Sequence, residues 1–283
     1  MFADDCCIYA FGKDLDQTKL MFQNSVNDAN EWYLNNNLPV NIPKSMCMLS
    51  IPEHVSNRLD DDQKLLNTML DNDNLNQVST VPYLGMQMDT SLKWNDHVLK
   101  LCKIISGKLA LLSRLRKFID KETLLLLYYG IIQPNIDYAI SVWGYTSNVN
   151  VNMITRLQHR AARIISGNHD YINVRGADLA NQLGMQSVEI RRNYFTATLM
   201  FKIKNEIAPK RLIDLFVNSE DTHDITTRSS TNNTFQVPEP HYEFYRNSFK
   251  YQGSLLWNSL HPQLQSAQDI VEFKRLYKQM YFT

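Results

Sequence analysis

Between Asp96 and Lys117, the apolar residues Val98, Leu101, Ile105, Leu109 and Leu112 recur at steps of three and four. A period of 3.6 collects all five on one side of a helix, whereas a strand would scatter them over two faces. Lys100, Lys103, Arg114 and Lys117 fall within a separate arc of about 100° when residues are placed around a helix. The segment therefore reads as a helix with an apolar face and a basic stripe, which demands a packing partner. The same reasoning predicts helices at 121–133, 151–166, 187–205 and near 267–281. In 151–166, Arg156, Arg160 and Arg163 share a face opposite Ile154, Leu157, Ala161 and Ile165.

The front of the chain is different. Cys6–Phe11 reads as a short strand, Gly12 breaks it, and Asp14 or Asp16 can cap a helix starting there. Leu15, Thr18, Phe22, Val26, Ala29 and Tyr33 keep helical spacing, until Asn35-Asn36-Asn37 offers a left-handed end. Leu38, Val40 and Ile42 alternate like a strand, and Met46–Leu49 resumes after Pro43. Residues 52–79, with Asp60-Asp61-Asp62 and five asparagines, read as a polar insertion or loop with a weak helix near Gln63–Leu70. The triple aspartate is better explained as a solvated run than as a metal site. Val81–Met88 is a strand pair with a bulge or close approach at Gly85. The fold class is α+β at the front and mainly helical after residue 96. Residues 219–240, rich in Ser, Thr, Asn and Pro, read as a linker.

Net charge is zero, but it is not evenly spread. Residues 1–92 carry 13 acidic and five basic side chains, net −8, and residues 93–283 carry 16 acidic and 24 basic, net +8. A polyanion responds to the local field, so the back section could hold phosphates and the front section cations. Ordinary surface scatter is the alternative. Four cysteines without a CxxC or Cys/His ligand set argue against a disulfide framework or zinc. The start lacks the basic region of a signal peptide, and the apolar run at 124–132 is too short to span a bilayer. The chain thus reads as soluble and intracellular, in nucleus or cytoplasm.

Phe2-Ala3-Asp4-Asp5 ahead of an apolar strand resembles the aromatic-x-Asp-Asp motif of reverse transcriptases. Trp32, Leu38, Asn41 and Lys44 resemble the next motif of that family, with its L-x-x-N-x-x-K-S/T strand. Tyr83-Leu84-Gly85 looks like the primer-grip hairpin, followed by Trp94 and His97. Pro134, Asp137-Tyr138 and Val142-Trp143-Gly144 resemble the thumb of LINE-type enzymes. Gln158, Ala161 and Arg163 fit its next helix, and Thr227-Arg228, Phe249 and Trp257-Asn258 fit the region beyond. The resemblance is to the C-terminal part of a reverse transcriptase of the non-LTR (LINE-type, jockey-like) retrotransposons. It departs from the family in a longer 52–79 segment and in lacking a cysteine-rich knuckle.

The resemblance implies a partial polymerase palm (a β-hairpin and βαβ remnant) with the primer grip at 1–95. A helical thumb and connection at 96–218 and a C-terminal region at 219–283 would come next. It implies that Asp4 and Asp5 are metal ligands for Mg²⁺, or Mn²⁺, since paired carboxylates on a turn suit a hard divalent ion. In the complete enzyme two such ions about 3.5–4 Å apart activate the primer hydroxyl and steady the leaving pyrophosphate. Lys44 would lie near that phosphate, and Tyr83, Leu84 and Gly85 would position the primer end. Lys100, Lys103, Arg114 and Lys117 would track the phosphates of an RNA template and DNA primer, with dNTP as the other partner. The family's fingers and another palm aspartate are expected upstream of residue 1, so the chain alone is expected to be inactive. The alternative is a decayed, non-catalytic nucleic-acid-binding remnant. His97 and His159 have no Ser or Cys partner at triad spacing.

Overall fold

The computed structural model describes residues 5–71, 73–219, 234–240 and 242–282. The chain divides into two compact units, residues 1–92 and 93–283. The first is α+β; the second is helical throughout its regular elements.

In the first unit, helix α1 (Leu15–Asn35) begins where the Asp14 side chain accepts the Gln17 N–H at 2.7 Å, as the sequence suggests. It ends at the asparagines, with Asn37 left-handed at φ 53°. Val26 is its one buried position among the described residues. Short elements come after it: β1 (Met46–Cys47), a four-residue helix α2 (Glu53–Ser56), then β2 (Met69–Leu70), β3 (Asp73–Asn74) and β4 (Asn76–Gln77). β1 pairs in parallel with β4, and β2 pairs antiparallel with β3. Strands β5 (Thr80–Tyr83) and β6 (Met86–Asp89) form an antiparallel hairpin.

Four expectations for this unit need correcting. Residues 6–12 carry no regular structure. Tyr9 and Phe11 are 72% and 79% exposed and stack on each other, with no core to hold the expected strand. Residues 38–42 do not form a strand either; the chain tightens instead into a 3-10 turn at Ile42–Lys44. Pro43 fixes φ and lacks an N–H, which suits that turn and not a ladder. The weak helix expected near Gln63–Leu70 is a 3-10 turn at Asp62–Lys64 running into β2. Gly85 is not a bulge. Leu84 (φ 46°) and Gly85 (φ 82°) are the two left-handed residues of a tight hairpin turn.

Side-chain amides, beside the burial of Leu70, hold the polar segment 52–79. The Gln23 amide brackets Met69, donating to its C=O and accepting its N–H, both at 2.9 Å. Gln77 does the same for Lys64 C=O (2.9 Å) and Leu66 N–H (2.7 Å). Asn30 donates to the Asp71 carboxylate at 2.6 Å.

In the second unit, α3 (Asn95–Leu115) buries Val98, Leu101, Ile105, Leu109 and Leu112, the five residues picked out by period. It packs on α7 (Asn148–Ser166). Between them run α4 (Lys121–Leu127), a π-helical turn at Tyr128–Ile132, α5 (Gln133–Asp137) and α6 (Ile140–Trp143). Then come α8 (Gly176–Gln182), α9 (Val188–Lys204), α10 (Lys210–Ile213), α11 (Glu243–Arg246), α12 (Phe249–Ser259), α13 (Pro262–Gln265) and α14 (Ile270–Tyr281). Ser147, Ser187 and Asp269 cap α7, α9 and α14, each accepting backbone N–H groups of the first turn.

Helices α12 and α14 pack on α9 around Phe201, Trp257 and Phe273, all fully buried. Burying each such side chain contributes roughly 1.5–3 kcal/mol. Asn258 donates to Phe235 C=O (2.8 Å) and accepts its N–H (2.9 Å), which pins 234–240 to this core. The helices after residue 242 therefore share one core with α9 and α10. Among the described residues no helix is long and apolar enough to cross a membrane.

Candidate nucleic-acid interface

The residues expected to do chemistry all belong to unit one. Asp4 lies outside the described residues. Asp5 is exposed. Lys44 is also exposed and ends the 3-10 turn, where the Asn41 side chain accepts the Lys44 N–H at 3.2 Å. Asn41 thus shapes the turn that presents Lys44, and Ser45 closes it by donating to Asn41 C=O at 3.0 Å. Tyr83 and Leu84 are half-buried and Gly85 is exposed at the tip of the β5–β6 hairpin. Among the described residues no three His, Cys, Asp or Glu side chains converge as a metal site would need. The described carboxylates do not by themselves make a two-ion centre.

Of the basic stripe, Lys100, Lys103 and Arg114 lie on α3 and Lys117 in the turn just past its end. Lys100, Lys103, Arg114 and Lys117 are all exposed, while the five apolar residues of the same helix are buried. Lys108, on the flank, turns inward instead and donates to Ile131 C=O (2.8 Å) and the Asn135 amide oxygen (3.0 Å). Lys100 acts on its own helix too: with burial as the larger cause, it holds the His97 imidazole below the usual histidine range. His97 packs its ring 5.4 Å from that of Trp143.

The arginine face of α7 divides. Arg156 and Arg160 are exposed, but Arg163, read from the sequence as sharing their face, is buried. Its guanidinium donates to Asp170 C=O at 2.9 Å and Val174 C=O at 2.6 Å, and so holds the loop between α7 and α8. Gly167 (φ 70°) turns the chain out of α7 into that loop. One turn beyond Leu112, just past the end of α3, Arg116 reaches His169 of the same loop. Neither Arg116 nor the loop was marked by the sequence. The available signal was an apolar pair, Tyr171-Ile172, set among Asn, Asp and His.

The remaining motif residues of this unit build the scaffold. Arg191 pairs with Asp137, which also accepts from the Gln133 amide at 2.8 Å. Gln133 accepts the Tyr128 hydroxyl at 2.8 Å, and Gln158 donates to that hydroxyl (3.1 Å) and to Gln186 C=O (3.2 Å). This chain of bonds ties α5, α7 and the π-helical turn to the start of α9. Burial raises the Tyr128 hydroxyl far above the ordinary tyrosine value, so it stays a donor. Trp143 is fully buried, with its indole N–H on Tyr138 C=O at 2.8 Å. Thr227-Arg228 lie outside the described residues.

Two curated proteins of Drosophila melanogaster are similar to parts of this chain. One, named probable RNA-directed DNA polymerase from transposon X-element, is 30% identical over 95 residues, 32% of this chain and 10% of its own length. The other, named probable RNA-directed DNA polymerase from transposon BS, is 26% identical over 147 residues, 49% of this chain and 16% of its own length. The matches thus span only a tenth to a sixth of those relatives. No protein-family model and no solved structure matches the chain. Parts of the chain are thus similar to two transposon proteins named as probable RNA-directed DNA polymerases.

Proposed function

We propose that the chain is the C-terminal portion of an RNA-directed DNA polymerase from a non-LTR retrotransposon, and that residues 93–283 hold its template–primer by the phosphates. The observation that carries this is the outward presentation of Lys100, Lys103 and Arg114 on a helix whose opposite side is core, with Lys117 exposed in the turn just past its end. Three cations on a rigid rod and a fourth just past its end, in a unit of net charge +8, make a track for a polyanion. The names of the two partly similar relatives supply the kind of polyanion, an RNA and the DNA copied from it.

In this reading Asp4 and Asp5 serve as metal ligands, Lys44 faces the leaving phosphate, and Tyr83, Leu84 and Gly85 position the primer. The chain by itself does not extend a primer, because one strand's carboxylates cannot hold both ions. Primer extension by purified 1–283 with Mg²⁺ or Mn²⁺, abolished by Asp4→Asn, would overturn that part.

The binding part is tested by salt. Each phosphate contact removed lowers the slope of log affinity against log salt by roughly 0.7–0.9. Changing all four stripe residues to Ala should flatten the slope for duplex and single strand alike and leave sequence preference unaltered. An unchanged slope would mean a merely solvated helix face.

A further inference from the structure

We infer that the α7–α8 loop, residues 167–175, is a stacking platform for an unpaired base of single-stranded nucleic acid, with Tyr171 as the ring on which the base rests. Tyr171 is 69% exposed and Ile172 94%, so the loop holds its two largest apolar groups out in water. A slack loop would fold them inward. This one is built against that. Besides the two bonds from buried Arg163, the Asp170 carboxylate accepts the N–H groups of Ile172 (3.0 Å) and Asn173 (2.9 Å) and the Asn173 amide (2.9 Å). Asn168 accepts the Asp170 N–H at 2.8 Å.

One face of the Tyr171 ring is already covered: the Arg163 guanidinium carbon lies 4.3 Å from the ring centroid. Such a contact fixes the ring plane and leaves the other face for a second flat π-system. Besides Arg163, further cations belong to this loop and to the end of α3. Arg116 holds His169, Arg114 and Lys117 lie within a turn of Arg116, and Arg175 is exposed at the loop's far end. The loop's own acid, Asp170, is engaged by the N–H groups of its neighbours. An exposed aromatic ring backed by a guanidinium, on a loop that also carries Arg175, suits a strand whose bases can stack while its phosphates are neutralised, and stacking of this kind tolerates any base. Ile172 offers the apolar edge for the neighbouring sugar or base.

The inference rests on the reading that the α3 stripe contacts phosphates, and the test separates the two. Tyr171→Ala, Tyr171→Phe and the quadruple stripe variant of the full chain are titrated with a fluorescent oligouridylate and a blunt RNA duplex. Tyr171→Ala should weaken single-strand binding roughly five- to a hundredfold, leave duplex binding and the salt slope unchanged, and be restored by Tyr171→Phe. Equal single-strand affinity for Tyr171→Ala and the parent overturns the stacking role, whatever the stripe variant does. A flat response of the stripe variant with a loss in Tyr171→Ala sinks the stripe reading and sustains this one. Self-association abolished by Ile172→Asp, with single-strand affinity untouched in both loop variants, would reassign the loop to a protein contact.

Discussion

Arg191 grips Asp137 with two hydrogen bonds, its Nε donating to Oδ1 at 2.9 Å and its Nη2 to Oδ2, across 54 positions of sequence. Both side chains are largely shielded, with 15% of Asp137 and 18% of Arg191 left to solvent. Removing one charge strands the other. Asp137→Asn should therefore destabilise the second unit by about 3 kcal/mol in chemical denaturation, and the double change Asp137→Leu/Arg191→Met by less than either single one. Additive losses would mean that the pair does not act as a unit.

The Tyr128 hydroxyl lies one step further along the same chain of bonds, between Gln133 and Gln158. Tyr128→Phe keeps the ring but leaves a buried amide oxygen and a buried amide N–H without their partner. A loss of about 1–3 kcal/mol is expected. Gln158→Leu, which deletes one end of the chain of bonds, should cost less once Tyr128 is Phe than in the parent.

Acid should loosen the second unit at two histidines. Burial, joined by Lys100 at His97 and by Arg163 at His159, holds both imidazoles below the ordinary value of 6.5. The unfolded chain thus binds these protons more readily than the folded one. Their contribution is complete above pH 6.5 and is lost as pH falls below it towards the folded values. Denaturation midpoints measured across that window should fall, and the His97→Gln/His159→Gln variant should show a shallower fall. An equal fall in both proteins would assign it to other groups.

The β5–β6 hairpin depends on its turn. Gly85 sits at φ 82°, where a Cβ carries a steric cost of roughly 1–2 kcal/mol. Gly85→Ala should speed amide exchange across Thr80–Asp89, and Gly85→Asn should do so less, because Asn tolerates that region.

Sequence alone determined the features that depend on near neighbours. The buried face of α3 and the cap at Asp14 come from periodicity and local hydrogen bonding, and both are seen. The change of charge sign between residues 92 and 93 also falls where the two compact units divide. An apolar alternation at 6–11 or 38–42 was not enough, because a strand exists only if another strand takes its N–H and C=O groups. Nor could spacing reveal that Asp137, Gln158 and Arg163, which carried the family likeness, are spent on holding helices and a loop in place. Their partners lie on other elements, at Arg191, Tyr128 and Val174. The bond from Arg163 to Val174 shows the limit plainly. From sequence an arginine at helical spacing reads as surface charge, and only the path of the loop after Gly167 brings two carbonyls over its guanidinium. A side chain's periodicity is a local property, whereas its partner is chosen by how the chain returns, and that choice belongs to the tertiary fold.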